Sequence, residues 1–154
     1  MGAMTDERIA GALRESWSAE TCDPVDLPAW CQANKARGQC GSTALVINDL
    51  LGGDLMIAEV LWPDGSRQGF HYWNLLPDGS EVDLTREQFT EGEVVQAGQV
   101  VKRPPGPPNR CREQYELLRR RVLLRLGHTA WGPGAHGGVG YCVRLRIQPG
   151  PQTD

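Results

Sequence analysis

The chain has 154 residues, of which 40% are hydrophobic and 23% charged. This length suits one domain, and the composition is that of a globular protein rather than a disordered or fibrous one. No apolar run reaches the roughly 20 residues that a membrane-spanning helix needs, so no membrane association is expected. The polar start of the chain lacks an apolar signal segment, which predicts a cytoplasmic location.

Charge is distributed unevenly along the chain. The formal net charge is −3, yet residues 1–101 carry 16 acidic and 6 basic side chains, whereas residues 102–154 carry 3 acidic and 10 basic ones. The overall acidity argues against nucleic-acid binding, which usually needs a basic domain. The Arg119-Arg120-Arg121 run is therefore expected to be a solvated face or to pair with the acidic part of the chain.

Two helices are predicted in the first third of the chain. Apolar side chains recur every fourth position over residues 5–18, with Thr5 as a plausible N-cap. Residues 19–39 contain two prolines that block regular structure, so this segment is expected to be irregular. A second helix is predicted over residues 40–51, because the glycine pair that follows is a typical helix stop.

The middle of the chain changes to a strand pattern with Pro-Asp-Gly turns. Four strands are predicted, over residues 55–62, 69–76, 80–85 and 94–101. The proline-rich run 103–108 is expected to be a stiff connector. It leads to a helix predicted over 109–126, with Asn109 as its cap. A glycine-rich loop over 127–140 and a last strand over 141–147 are predicted to follow. Strands grouped between helices, instead of alternating with them, predict an α+β fold.

Cys40 is placed at the start of the second predicted helix. The helix dipole and the unpaired N–H groups of the first turn favour a thiolate, and the same N–H groups can hold an oxyanion. The chain has five cysteines, an odd number that argues against a closed disulfide framework and for a reducing compartment. The alternative for Cys40 is a buried structural cysteine, a common role for this residue.

His71 and Asp83 lie on two strands of one predicted hairpin. A three-residue Pro77-Asp78-Gly79 loop opposes Leu76 with Ser80 and puts His71 and Asp83 on one face, whereas a two-residue loop puts them on opposite faces. The three-residue register is therefore predicted. The alternatives are a structural strand histidine and an aspartate on the exposed polar face.

These blocks resemble a known family. The string His71-Tyr72-Trp73-Asn74, the Pro-Asp-Gly turn and Glu81-Val82-Asp83-Leu84-Thr85 resemble the His and Asp strands of the transglutaminase-like, papain-like cysteine enzymes. More narrowly, the small bacterial YunG-like family is resembled by Gly38-Gln39-Cys40, Leu50-Leu51-Gly52-Gly53 and Val82-Asp83-Leu84-Thr85. The resemblance covers about residues 8–126. It implies a papain-like core, with a thiol-bearing helix packed on an antiparallel sheet, and a Cys40–His71–Asp83 triad, but no particular substrate.

Such a triad predicts cysteine-dependent acyl transfer through a thioester intermediate. The enzyme would be an amide or ester hydrolase or an amide-forming acyltransferase, and its substrate a small molecule or a peptide. Asn34 is a candidate oxyanion donor, with Gln39 and Gln32 as competing choices and a loop-capping role as the alternative for Asn34. Trp73 is expected to line the cleft beside Asp83. No cofactor and no metal are expected. The alternative function is a non-catalytic papain-like module that binds a peptide or protein partner.

The predicted organisation is a papain-like enzyme domain over residues 5–126, with residues 127–154 as a glycine-rich loop and edge-strand extension of the same domain. Trp131 in this extension suggests a lid that closes on substrate. The alternative is a mobile surface loop.

Overall fold

A computed structural model describes residues 3–127 of the chain, with side chains from Glu7 onward. The helices are α1 (Ala3–Ser16), α2 (Cys40–Leu51) and α3 (Arg112–Arg125). The strands are β1 (Asp54–Leu61), β2 (Arg67–Leu75), β3 (Glu81–Val82), β4 (Val94–Val95) and β5 (Gln99–Val101). This element order confirms the α+β class. The predicted loop over 127–140, apart from Gly127, the strand over 141–147 and the Trp131 lid lie outside the described residues.

The main core lies where the three helices meet. Its fully or nearly fully buried side chains include Ile9, Leu13, Trp17, Val46, Ile47, Leu118 and Val122. Arginines of α3 pair with the acidic first part of the chain: Arg119 with Asp49, Arg121 with Glu20 and Arg125 with Glu15. Within the Arg119-Arg120-Arg121 run, the predicted charge pairing is confirmed for Arg119 and Arg121, whereas Arg120 is exposed. Within residues 3–127, no helix is both long enough and apolar enough to cross a bilayer.

All the strands pair antiparallel, in the order β3-β2-β1-β4, and β5 also pairs with β1. At the hairpin, Leu76 donates its N–H to the Ser80 carbonyl at 2.8 Å and accepts from the Gly79 N–H at 2.9 Å. Gly79 has a φ of 87°, the left-handed conformation that the third position of this turn requires. The three-residue loop is therefore confirmed, and with it the predicted register.

Several predicted boundaries are wrong. Helix α1 begins before Thr5, so Thr5 is not its N-cap, and α3 is preceded by Cys111 at a φ of 56° instead of by Asn109. The third strand is only Glu81–Val82, which places Asp83 just after the strand rather than inside it. The fourth strand is divided into β4 and β5 around Gly98, where a Cβ atom would lie 2.4 Å from the Trp73 ring.

Candidate functional site

Cys40 is the first residue of α2, as predicted, and its thiol is free and partly exposed. The N–H groups of a first helical turn have no partner within the helix, and they carry the positive end of the helix dipole. Among the described atoms, a Cβ at the neighbouring Gly41 would meet nothing within 4 Å. The first turn of α2 is therefore open at the position that follows Cys40.

Close packing at Gly38 fixes the path of the loop that leads into Cys40. Gly38 has a φ of 71°, and a Cβ there would lie 2.5 Å from the Cys22 Sγ and 2.8 Å from the Asp26 Cβ. Its carbonyl accepts from the Asp23 N–H at 2.9 Å. Only glycine combines this conformation with so close an approach without strain, so Gly38 determines where α2 begins.

Gln39 and Asn34 are engaged in anchoring this loop. The Gln39 side chain is fully buried, donating to the Ser18 carbonyl at 2.9 Å and accepting from the Thr21 hydroxyl at 2.8 Å. Asn34 donates its side-chain amide to the Gln88 carbonyl at 2.9 Å. The expectation that Gln39 offers its side chain to a substrate is wrong, because both of its polar ends are used inside the protein. Asn34 takes the loop-anchoring role that was its alternative, and Gln32 is exposed.

His71 is fully buried in β2, and its Nε2 lies 2.9 Å and 2.8 Å from the two carboxylate oxygens of Asp83. A carboxylate can only accept, so Nε2 carries the proton that is donated to Asp83. Asp83 also accepts from Arg86 Nε at 2.8 Å. The predicted register thus brings His71 and Asp83 into direct contact, with Nδ1 as the ring nitrogen left for other partners.

The ionisation of His71 reflects these contacts. Burial alone would lower the pKa of the imidazole, but hydrogen bonds to Asp83 and Cys40, with the negative charges of both groups, raise the pKa above its usual 6.5. Because Nε2 is committed to Asp83, Nδ1 is the ring nitrogen that remains to interact with the nearby Cys40 thiol. The three predicted residues are therefore neighbours in the order Cys40, His71, Asp83.

Aromatic side chains enclose the imidazole. Trp73 stacks on His71 at 5.4 Å between ring centroids, and Phe89 meets the ring edge-on at 4.9 Å. Trp73 is only 6% exposed and packs with Met56 and Ala58 in a second, smaller core cluster. Trp73 lines the narrow seam that Cys40 and Asp83 also line, and the same ring holds the His71 imidazole and contacts Arg86.

Tyr72 is a site residue that the sequence analysis did not single out. It lines the same narrow seam between α2 and β2 as Cys40, and the seam leaves essentially no free volume. Burial and the negative charge of Cys40 raise the pKa of the Tyr72 phenol above its usual value. The phenol therefore keeps its proton next to the thiol and can donate a hydrogen bond there.

Gln88 and Arg86 were also missed. Gln88 is 4% exposed, and its side chain accepts from the Gly38 N–H at 3.3 Å while its Nε2 lies 3.4 Å from His71 Nδ1. Both residues belong to a short helical turn, Arg86–Gln88, which follows β3 and was not predicted. No spacing in the sequence marks them, because their role depends on how this turn folds back over β2.

A buried ion pair supports this turn. Arg37 Nη1 lies 2.9 Å from Glu93, its Nε lies 3.3 Å from Asp26, and Nη1 also reaches the Gln88 carbonyl at 3.4 Å. The Arg37 and Glu93 side chains are 8% and 3% exposed. Breaking such a pair leaves a buried charge uncompensated, so the pair links the Cys40 loop firmly to the segment that carries Gln88.

The other described thiols have surroundings unlike those of Cys40. Burial and the neighbouring Asp26 and Asp23 raise the pKa of Cys22 to about 12. Burial and Asp23 also raise the pKa of Cys111 above its usual value. Cys31 is exposed and free. Among the residues described, no group of three or more His, Cys, Asp or Glu side chains is placed to hold a metal ion.

A groove of about 320 Å³ opens on the far side of Asp83, between the start of α1, the end of α2 and β3. Its lining is mostly apolar and includes Ile9, Ile47, Leu51, Val82 and Leu84. Cys40 is not part of this lining, so the groove borders the site at Asp83 alone.

The fold and the site together define an α+β protein with a helix-terminal thiol beside an aspartate-bound imidazole. The chain belongs to the YunG protein family, whose model matches residues 5–127. It is also similar to the protein named "Uncharacterized protein YunG" of Bacillus subtilis (strain 168), with 32% identity over 83 residues, 54% of this chain and 62% of that relative. The match thus spans less than two thirds of the relative's length. No solved structure matches the chain.

Proposed function

We propose that this chain is a cysteine-dependent acyl-transfer enzyme with a papain-like core. The observation that carries the proposal is the fully buried His71, held by Asp83 through Nε2, with Cys40 at the start of α2 close enough to raise the pKa of the imidazole. A buried imidazole between a carboxylate and a thiol is suited to moving a proton to and from sulfur. The substrate is an amide or ester of a small molecule or peptide.

The steps follow from the positions of these atoms. His71 Nδ1 accepts the thiol proton while the sulfur attacks the substrate carbonyl carbon, and Asp83 stabilises the imidazolium that forms. The new oxyanion is held by the Cys40 backbone N–H, and the Tyr72 phenol is the proposed side-chain donor. His71 then gives its proton to the leaving amine or alcohol, which leaves a thioester on Cys40.

The second half of the reaction regenerates the thiol. Water or an amine attacks the thioester carbonyl, and His71 removes its proton, so that water gives hydrolysis and an amine gives a new amide. The sulfur leaves as thiolate and recovers the proton from His71.

The first test is the pH dependence of labelling by iodoacetamide, followed at each cysteine by mass spectrometry after digestion. The pH at which the labelling rate of Cys40 is half-maximal should lie well below about 8.5, the range in which an ordinary thiol ionises. Exposed Cys31 is the reference thiol within the same molecule. His71→Ala should reduce the Cys40 rate at neutral pH about tenfold or more. The control is Phe70→Ala, which truncates an exposed neighbouring ring on the same strand.

The second test is a search for an acyl adduct by intact mass, using a panel of amides and esters with Cys40→Ala as the matched control. An adduct on the parent chain alone supports acyl transfer, and its fate with water or added amines separates hydrolysis from transfer. If Cys40 labels like Cys31 and His71→Ala changes nothing, the enzyme proposal is wrong. The non-catalytic binding module would then be the better description.

A further inference from the structure

Gln88 contacts the one nitrogen of His71 that the proposed reaction needs free. Its Nε2 lies 3.4 Å from Nδ1, and its Oε1 accepts from the Gly38 backbone N–H at 3.3 Å. A backbone N–H can only donate, so the amide oxygen must face Gly38 and the NH2 group must face His71. Turning the amide over would leave the buried Gly38 N–H without an acceptor, which costs free energy.

This orientation distinguishes between the two ionisation states of His71. A neutral imidazole with the proton on Nε2 presents a lone pair at Nδ1, which accepts from the Gln88 amide. An imidazolium presents an N–H at Nδ1, which meets the Gln88 N–H donor to donor. The Gln88 contact is therefore favourable only while Nδ1 is unprotonated, and it opposes the imidazolium that Asp83 and the Cys40 thiolate favour.

The surroundings of Gln88 hold it in place. Its backbone carbonyl accepts from both Asn34 and Arg37, and Arg37 is itself paired with Glu93. The side chain is nearly fully buried beside His71. Swinging it away from Nδ1 would require the buried Gly38 N–H to lose its acceptor.

We infer that Gln88 is a positioning residue that disfavours protonation of His71 at Nδ1 and so restrains the thiolate–imidazolium pair. This inference rests on the proposed function for its catalytic meaning. A base must accept the thiol proton and later release it to the leaving group, and both steps are efficient when its pKa lies near the working pH. Gln88 limits how basic His71 becomes under the influence of Asp83 and Cys40.

The titratable groups that bear on His71 are few among the described residues. Cys40 faces it from α2, Asp83 faces it from the segment after β3, and Arg86 acts through its bond to Asp83. The register places uncharged Ala58 of β1 opposite, and the remaining ring neighbours are Trp73 and Phe89. A change at Gln88 should therefore be read out directly in the titration of His71.

The experiment measures the His71 titration by NMR in the full chain, with the signal assigned by its absence in His71→Asn. Gln88→Met keeps the length of the side chain but removes the donor. Gln88→Glu keeps the acceptor for Gly38 and places an acceptor at Nδ1. The pH midpoint of the His71 titration should rise in Gln88→Met. It should rise further, by about one pH unit or more, in Gln88→Glu. In both variants the Cys40 labelling midpoint should fall.

The control for added charge is Gln99→Glu, an exposed position on β5, which should leave both midpoints unchanged. A thermal melt shows whether each variant is folded, and the two Gln88 variants provide independent chances to test the titration. If Gln88 only fastened the loop, Gln88→Met would lose stability without an upward shift of the His71 midpoint, and the inference would be overturned, because the rise in Gln88→Glu is then due to its added charge alone.

The two proposals fail in different ways. If the His71 midpoint is unchanged or lower in the folded Gln88 variants, the role of Gln88 is wrong while the Cys40–His71 pairing stands. If instead the His71 midpoint rises as expected but His71→Ala leaves the labelling of Cys40 unchanged, the role of Gln88 stands. It is then the proposed enzyme function that is wrong.

Discussion

The molecule has a helical half, where α1, α2 and α3 meet, and a site half, formed by the Cys40 loop and β2. The two halves differ in the kind of side chain that fills their interiors. Where α1, α2 and α3 meet, the core is formed by apolar side chains such as Leu13, Leu118 and Val122, each completely buried. Around the Cys40 loop and β2, the buried side chains are largely polar, including Arg37, Gln39, His71, Asn74 and Gln88. Apolar packing tolerates small shifts, whereas buried polar groups need particular partners.

The comparison shows which interactions stabilise the fold and which ones set the geometry of the site. Burying apolar surface in the helical half stabilises the fold without specifying any one atom's position. In the site half, each polar side chain connects two segments: Gln39 joins the Cys40 loop to Ser18, and Asn74 joins β2 to the Ala44 carbonyl of α2. This network sets the position of Cys40 relative to His71, and the following substitutions test whether the two halves are separable.

The largest effect is expected from Leu118→Ala in the helical half. Truncating this fully buried side chain should lower the free energy of unfolding by about 3 kcal/mol, measured by urea denaturation. Leu124→Ala, on the same helix but 53% exposed, is the matched control and should cost less than about 0.5 kcal/mol. The Cys40 labelling midpoint of folded Leu118→Ala should be unchanged. A shift of that midpoint would show that the two halves are coupled.

Gly38→Ala should have the next largest effect, because it strains the backbone and collides with Cys22 and Asp26. We expect a loss of about 2 kcal/mol in the free energy of unfolding and, unlike Leu118→Ala, a displaced labelling midpoint for Cys40. Gly106→Ala is the control, since Gly106 has a φ of 84° but no described atom within 4 Å of a Cβ. Its cost should be about 1 kcal/mol from backbone strain alone. Equal losses in the two variants would contradict the role of close packing at Gly38.

The smallest effect is a pH dependence of stability that arises in the site half. The pKa of His71 is raised above 6.5 by folding, so the folded chain binds this proton more tightly than the unfolded chain does. The resulting stabilisation should be fully present below about pH 6.5 and disappear as the pH rises through the folded-state pKa. The measurement is the difference in free energy of unfolding between the parent chain and His71→Asn, taken between about pH 5 and pH 9.

The control for this comparison is Leu124→Ala, which changes no titrating group and should differ from the parent chain by a constant amount over the same pH range. A difference for His71→Asn that grows with rising pH would mean that burial, and not hydrogen bonding to Asp83 and Cys40, dominates the pKa of His71.

Much of the site was predictable because its signals are local. Cys40 was placed at a helix start by the glycine pair that ends α2 and by the loop before it. The contact between His71 and Asp83 followed from the Pro-Asp-Gly turn, since loop length sets hairpin register and register sets the shared face. The role of the Gln39 side chain was wrong because its exposure depends on which distant segments cover it, and sequence spacing does not carry that information.

By itself, the sequence determined the α+β class, the helix that begins at Cys40 and the hairpin that unites His71 with Asp83, since turns and helix ends depend on neighbouring residues. Only the tertiary structure decided that Asp83 lies beyond β3, that Tyr72 lies beside the thiol and that Gln88 contacts Nδ1. These placements depend on contacts between segments far apart in the chain, such as Gln88 with Gly38 and with His71. Local propensities do not encode such contacts, because they form only when distant segments pack together.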